Sequence, residues 1–179
     1  MIPLHSFDVI AQLENKARNA AHRFPKEEDK TYWSGVKFHL NKQVLVVDSR
    51  EVSEVLLVPD VVPLPNVQPW VHGVANIKGR VIPIFDLSVF FGENENNAFE
   101  RRRVMLVEKK NIIFGLVVDD VQGVIQFSSI SDENNIPANF PPVMRPFIVG
   151  CFYKDMHHMV FSTNELVKDQ RFICVVEES

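Results

Sequence analysis

From Tyr32 onward the chain is cut into short apolar, β-branched runs: VKFHL, VLVV, VSEVLLV, GVANI, VIPIF, VMLVE, IIFGLVV, GVIQF, PFIVGCF and HHMVF. Gly, Pro, Asn or Asp bounds them, the residues that end strands and open turns. Upstream, the apolar positions Phe7, Ile10, Leu13, Ala17, Ala20, Ala21 and Phe24 follow helical spacing instead. Ser6 suits the N-cap, Asp8 the first turn, and Pro25 stops the helix. A charged linker, KEEDK at 26–30, follows. Many short strands with one terminal helix point to barrels and not to βαβ units. Residues 1–30 are thus expected to form a helical extension and linker, and 31–179 the β domain.

An internal repeat refines this picture. VLVVDSREVSEVL (44–56) parallels IIFGLVVDDVQGVI (112–125). In both, two valines precede an Asp, and Val52, Val55 and Leu56 match Val121, Val124 and Ile125. WVHGV (70–74) then parallels FIVGC (147–151), and an apolar strand leads to Leu87 or Leu166. Four features in the same order imply two similar β-subdomains, the second starting near Arg101.

Composition excludes several classes of function. A formal net charge of −4 argues against a general phosphate-backbone binder. No apolar run approaches the roughly 20 residues a membrane helix needs, and no secretory leader is evident at the N-terminus. Cys151 and Cys174 form neither a CxxC motif nor a disulfide framework, so a cytoplasmic setting is expected.

The candidates for chemistry are few. His157 and His158 are adjacent on an expected strand and point to opposite faces, which disfavours a shared metal. Asp119 and Asp120 fail as a carboxylate pair for the same reason, and a strand-end turn accounts for them. There is no GxSxG elbow, GxGxxG fingerprint or P-loop, so no cofactor and no enzyme activity are expected. Arg101-Arg102-Arg103 is the densest basic run, read first as a solvated face. A small barrel binding RNA or DNA through that run is the alternative from another class.

One stretch carries a specific signature. PLPNVQPWVHGVANIKGRVIPIFDL (63–87) resembles the hallmark of the CheW-like family, the coupling proteins of bacterial chemotaxis. Pro65, Asn66, Pro69, Gly73, Val74, Asn76, Gly79, Pro83, Asp86 and Leu87 match it, and the similarity extends over nearly all of 32–172. Trp33-Ser34-Gly35, the WVHGVAN segment and Val160-Phe161-Ser162 are similar to the PilI-like branch, which serves the chemotaxis-like pathway of type IV pilus twitching motility. The resemblance implies two SH3-like five-stranded β-barrels related by a pseudo-twofold axis. It also implies a non-catalytic scaffold, cytoplasmic and recruited to receptor complexes at the membrane without inserting there. Such a scaffold docks on the regulatory domain of a CheA-like histidine kinase and grips the cytoplasmic tip of a chemoreceptor. No nucleic-acid partner is implied.

Carried over by position, the resemblance puts partner contacts on Val52 and Glu54 and on the basic turn Asn76, Lys78 and Gly79. It puts apolar groove positions on Val121 and Val124, although the valines read equally well as core. Lys78 stands where the family usually has Arg, keeping the charge without the planar fork. If Lys78 faces Glu54, the pair orients the turn. Asn76 is expected to fasten that turn to its backbone, and Pro83 to mark an edge or bulge.

Overall fold

The computed structural model of the chain describes residues 33–92, 102–109, 112–127, 136–153 and 156–175. The chain divides into Met1–Thr31 and Tyr32–Ser179, and every described residue belongs to the second unit. The helix expected at 7–24 and the linker at 26–30 lie outside the described residues.

The described strands are, in chain order, β1 (Trp33–Leu40), β2 (Gln43–Asp48), β3 (Val52–Leu57), β4 (Val71–Ile77), β5 (Arg80–Asp86), β6 (Arg103–Lys109), β7 (Ile112–Val118), β8 (Asp120–Phe127), β9 (Ile148–Tyr153) and β10 (His157–Phe161). Single-turn helices α1 (Leu87–Phe90), α2 (Thr163–Leu166) and α3 (Gln170–Ile173) follow β5 and β10. The strands form two five-stranded sheets, ordered β8-β1-β2-β10-β9 and β3-β6-β7-β5-β4. Moving every strand five places along the chain turns one order into the other. That is the pseudo-twofold relation the internal repeat foreshadowed, and the mainly β, doubled five-stranded architecture is as expected.

The sheets do not follow the repeats, however. The β1–β2 hairpin completes the sheet of β8, β9 and β10, while β6 and β7 complete that of β3, β4 and β5. A division near Arg101 therefore separates two sequence repeats but not two sheets. The reason is local. β7 ends at Val118 and β8 begins at Asp120, leaving one connecting residue. A hairpin commonly needs at least two, so β8 passes on to the neighbouring sheet.

The central strands β2, β6, β7 and β10 bury residues on both faces and read as apolar runs, whereas β1 alternates, with Lys37 and His39 only half-buried. Phe38, Leu45, Val47, Phe85, Met105, Val107, Phe114, Leu116, Met159 and Phe161 meet in one core shared by the two sheets. The alternate residues Ile82, Ile84, Val104, Leu106 and Val117 form a second cluster on the far face of the β3–β7 sheet. Val46, Phe127, Phe152 and Val160 do the same for the other sheet. The proline-rich loop before β9 is packed down where it is described, burying Phe140, Met144 and Phe147 in the shared core.

Pro83 sits opposite Val74, whose amide and carbonyl both pair with Val62 and not with β5. Its missing N–H thus falls on the β7 side, where pairing begins only at Ile84. Locally Pro83 is at an edge, as the sequence indicated.

Candidate partner-binding surface

The β4–β5 hairpin closes through Lys78 and Gly79 between the paired residues Ile77 and Arg80. Both turn residues have positive φ, 52° and 80°, the signature of a type I′ turn that matches the twist of its strands. Asn76 Oδ1 accepts from Gly79 N at 3.0 Å and fastens the turn from beneath. Lys78 Nζ donates to Glu54 Oε2 at 2.6 Å. Glu54 lies on β3, one edge of the sheet, and Lys78 at the tip of the hairpin that forms the other edge. The ion pair therefore spans the open side of the sheet. Both side chains keep solvent contact, at 72% for Lys78 and 33% for Glu54.

An exposed pair of this kind contributes little to folding, about 0–1 kcal/mol. Lys78→Ala is accordingly expected to leave the denaturation midpoint nearly unchanged in a urea titration. A loss of several kcal/mol would mean that the latch is structural.

The structure brings Glu54, Asn76, Lys78 and Gly79 together at this tip but separates them from Val121 and Val124, which lie on β8 of the other sheet. Val52 and Val121 are half-buried and lean on the shared core. Val124 stands 64% exposed, and its repeat mate Val55 is exposed as well. The core reading thus fails for Val124 and holds in part for Val52 and Val121.

Two clefts open beside α2, of about 490 Å³ and 370 Å³. They share Glu51, Asn164 and Lys168 as a common wall. At their margin the Arg50 guanidinium grips Asp48 and holds its carboxyl below the usual carboxylate range. Neither Glu51 nor Asn164 stood out in the sequence, because single polar residues in turns carry no periodic signal.

The basic triplet behaves differently from the first expectation. Arg102 is 3% exposed and donates from Nη2 to Asp86 Oδ2 at 2.5 Å. A buried cation cannot serve as a solvated face, and the triplet loses its middle charge to the interior. The histidines part as strand geometry requires, His158 buried and His157 exposed.

The family model of the CheW-like domain matches residues 34–170. The chain is 34% identical to the protein PilI of Pseudomonas aeruginosa, covering 94% of this chain and 95% of that one. It is 27% identical to the chemotaxis protein CheW of Thermotoga maritima over 59% of this chain and 70% of the other. Among solved structures, the scaffolding protein TtCheW of Thermoanaerobacter tengcongensis superposes with a TM-score of 0.63 at 25% identity. That match covers 73% of this chain and 88% of the other.

Proposed function

The chain belongs to the CheW-like domain family, and from that premise we propose that it is a non-enzymatic adaptor of type IV pilus twitching motility. It couples the cytoplasmic tip of a chemoreceptor to the regulatory domain of a CheA-like histidine kinase. The observation that carries this reading is the Lys78–Glu54 latch. The exposed pair returns little stability, so its value lies in orienting the turn. A turn held in one orientation offers its side chains to the kinase domain. Similarity to PilI along nearly the whole chain supports the pilus branch. The adaptor works in the cytoplasm, and no helix among the described residues is long and apolar enough to cross a membrane. The groove valines Val52, Val121 and Val124 meet the receptor, whose hairpin lays an apolar face against them.

Calorimetric titration against the regulatory domain of the organism's pilus-associated kinase tests this. Saturable one-to-one binding that survives moderate salt is expected. Lys78→Glu places like charges at the latch and should weaken binding by more than about tenfold while the protein stays folded. A folded protein that binds neither the kinase domain nor the receptor hairpin would overturn the adaptor reading. A salt-sensitive complex with oligonucleotides instead would favour the nucleic-acid alternative, which the burial of Arg102 disfavours.

A further inference from the structure

The chain crosses between the sheets at Asp119, from β7 to β8, and along Ser49–Glu51, from β2 to β3. Each crossing carries a carboxylate that ties it to a single-turn helix and to a hairpin. Asp119 Oδ1 accepts from Ser88 Oγ on α1 at 3.2 Å, and its Oδ2 accepts from Asn41 N in the β1–β2 turn at 2.8 Å. Glu51 Oε2 accepts from Thr163 Oγ1 on α2 at 2.5 Å, and its Oε1 accepts from Lys109 Nζ at the end of β6 at 3.0 Å. Lys109 also donates to Asn164 Oδ1. Under the five-place shift α1 becomes α2, and the β1–β2 turn becomes the β6–β7 turn. The two clasps are thus counterparts, although neither the residue types nor the sequence spacings match. In each, the crossing takes a hydroxyl from the helix after one sheet and an N–H from a hairpin of the other.

Backbone contacts reinforce both clasps. Asp119 N donates to His39 O at 3.1 Å, and Glu108 N donates to Glu51 O at 3.2 Å. Val52 follows Glu51 directly, and Val121 lies two residues beyond Asp119. Both valines rest on the core shared by the sheets. Turning one sheet against the other must move these valines, and the clasps resist that turn.

We propose that Glu51 and Asp119 are paired positioning residues that fix the angle between the two sheets and thereby place Val52 and Val121 for a partner. The proposal rests on the adaptor reading only in taking those valines as partner contacts. The clasps differ in one respect. The Glu51 clasp is an ion pair beside two open clefts, whereas Asp119 uses uncharged donors. Salt therefore loosens the first more than the second.

Methyl NMR of the valine-labelled full chain tests this with Thr163→Val, which deletes one donor at nearly constant volume, and with Ser88→Ala on the other clasp. Each is expected to displace the methyl signals of both Val52 and Val121, since both clasps set one angle. The signal of Val81, at the far end of β5, should stay in place. Affinity for the receptor's cytoplasmic hairpin should fall by roughly threefold to tenfold. Should Thr163→Val fail to fold, Glu51→Gln keeps an acceptor for Thr163 and is expected to shift Val52 in the same direction. A lowered melting temperature with both valine signals unmoved overturns the proposal and leaves the clasps as plain stabilisers. If wild-type protein binds no receptor hairpin, the adaptor reading fails, and the methyl displacements still decide the positioning claim.

Discussion

Arg102→Met with Asp86 intact is expected to cost about 3–5 kcal/mol, the usual penalty for stranding one member of a buried ion pair. Asp86 is 1% exposed, so its carboxylate has no solvent to turn to when the guanidinium is gone. Its other oxygen, Oδ1, caps α1 by accepting from Ser88 N at 2.9 Å and Val89 N at 3.2 Å. Those two contacts do not neutralise the charge. The double variant Arg102→Met with Asp86→Asn separates the effects, because an amide keeps the capping acceptor and removes the anion. Most of the lost stability should return, giving a coupling of several kcal/mol in a urea double-mutant cycle. Additive losses would show that the pair is not an energetic unit. The position of the pair explains the size of the effect. Asp86 ends β5 and Arg102 precedes β6, so the contact pins the join between the two repeats.

Why that pair was hidden in the sequence, when the strands were not, is a matter of range. A strand buried on both faces writes its state into its own residues, as IIFGLVV does for β7, and short runs bounded by turn formers need no long-range information. The β4–β5 turn was legible for the same reason, since Asn76, Lys78 and Gly79 act within four residues of one another. The latch to Glu54 spans 24 residues and was reached only through the family resemblance. Burial of Arg102 depends on where Asp86 lands, and a triplet of arginines reads the same whether its middle member faces water or a carboxylate. The exchange of hairpins lay between these cases. In the sequence Asp119-Asp120 is a two-residue gap that a tight hairpin accepts, and only the start of β8 at Asp120 leaves too little chain for one. That pair was weighed only as a possible catalytic dyad or a turn, so the crossing passed unnoticed.

Gly73 supplies the second large effect, and a comparison with Gly79 makes it decisive. Both glycines have positive φ, 139° and 80°, so each would strain any residue with a Cβ. At Gly79 a Cβ would meet nothing within 4 Å, and Gly79→Ala should cost only the conformational term, about 1–2 kcal/mol. At Gly73 the same atom would lie 2.2 Å from the carbonyl oxygen of Val62 and 2.8 Å from Val61 Cγ1. The first of these is backbone and cannot swing aside. It belongs to the segment that pairs with Val74 and covers the outer edge of β4, next to the irregularity between Val71 and Gly73. Gly73→Ala must push that cover away, break the Val62–Val74 pair and withdraw Val61 from the small core beneath. We expect a loss of about 3 kcal/mol or more, or roughly 6–12 °C in Tm for a domain of this size. Hydrogen exchange locates the damage. The amides of Val62 and Val74 should lose nearly all their protection in Gly73→Ala, while those of β6 and β7 speed up only as far as the fall in global stability requires. Equal melting temperatures for Gly73→Ala and Gly79→Ala, with Val62 and Val74 still protected, would mean that the 61–62 segment yields at no cost and that close approach is not what Gly73 provides.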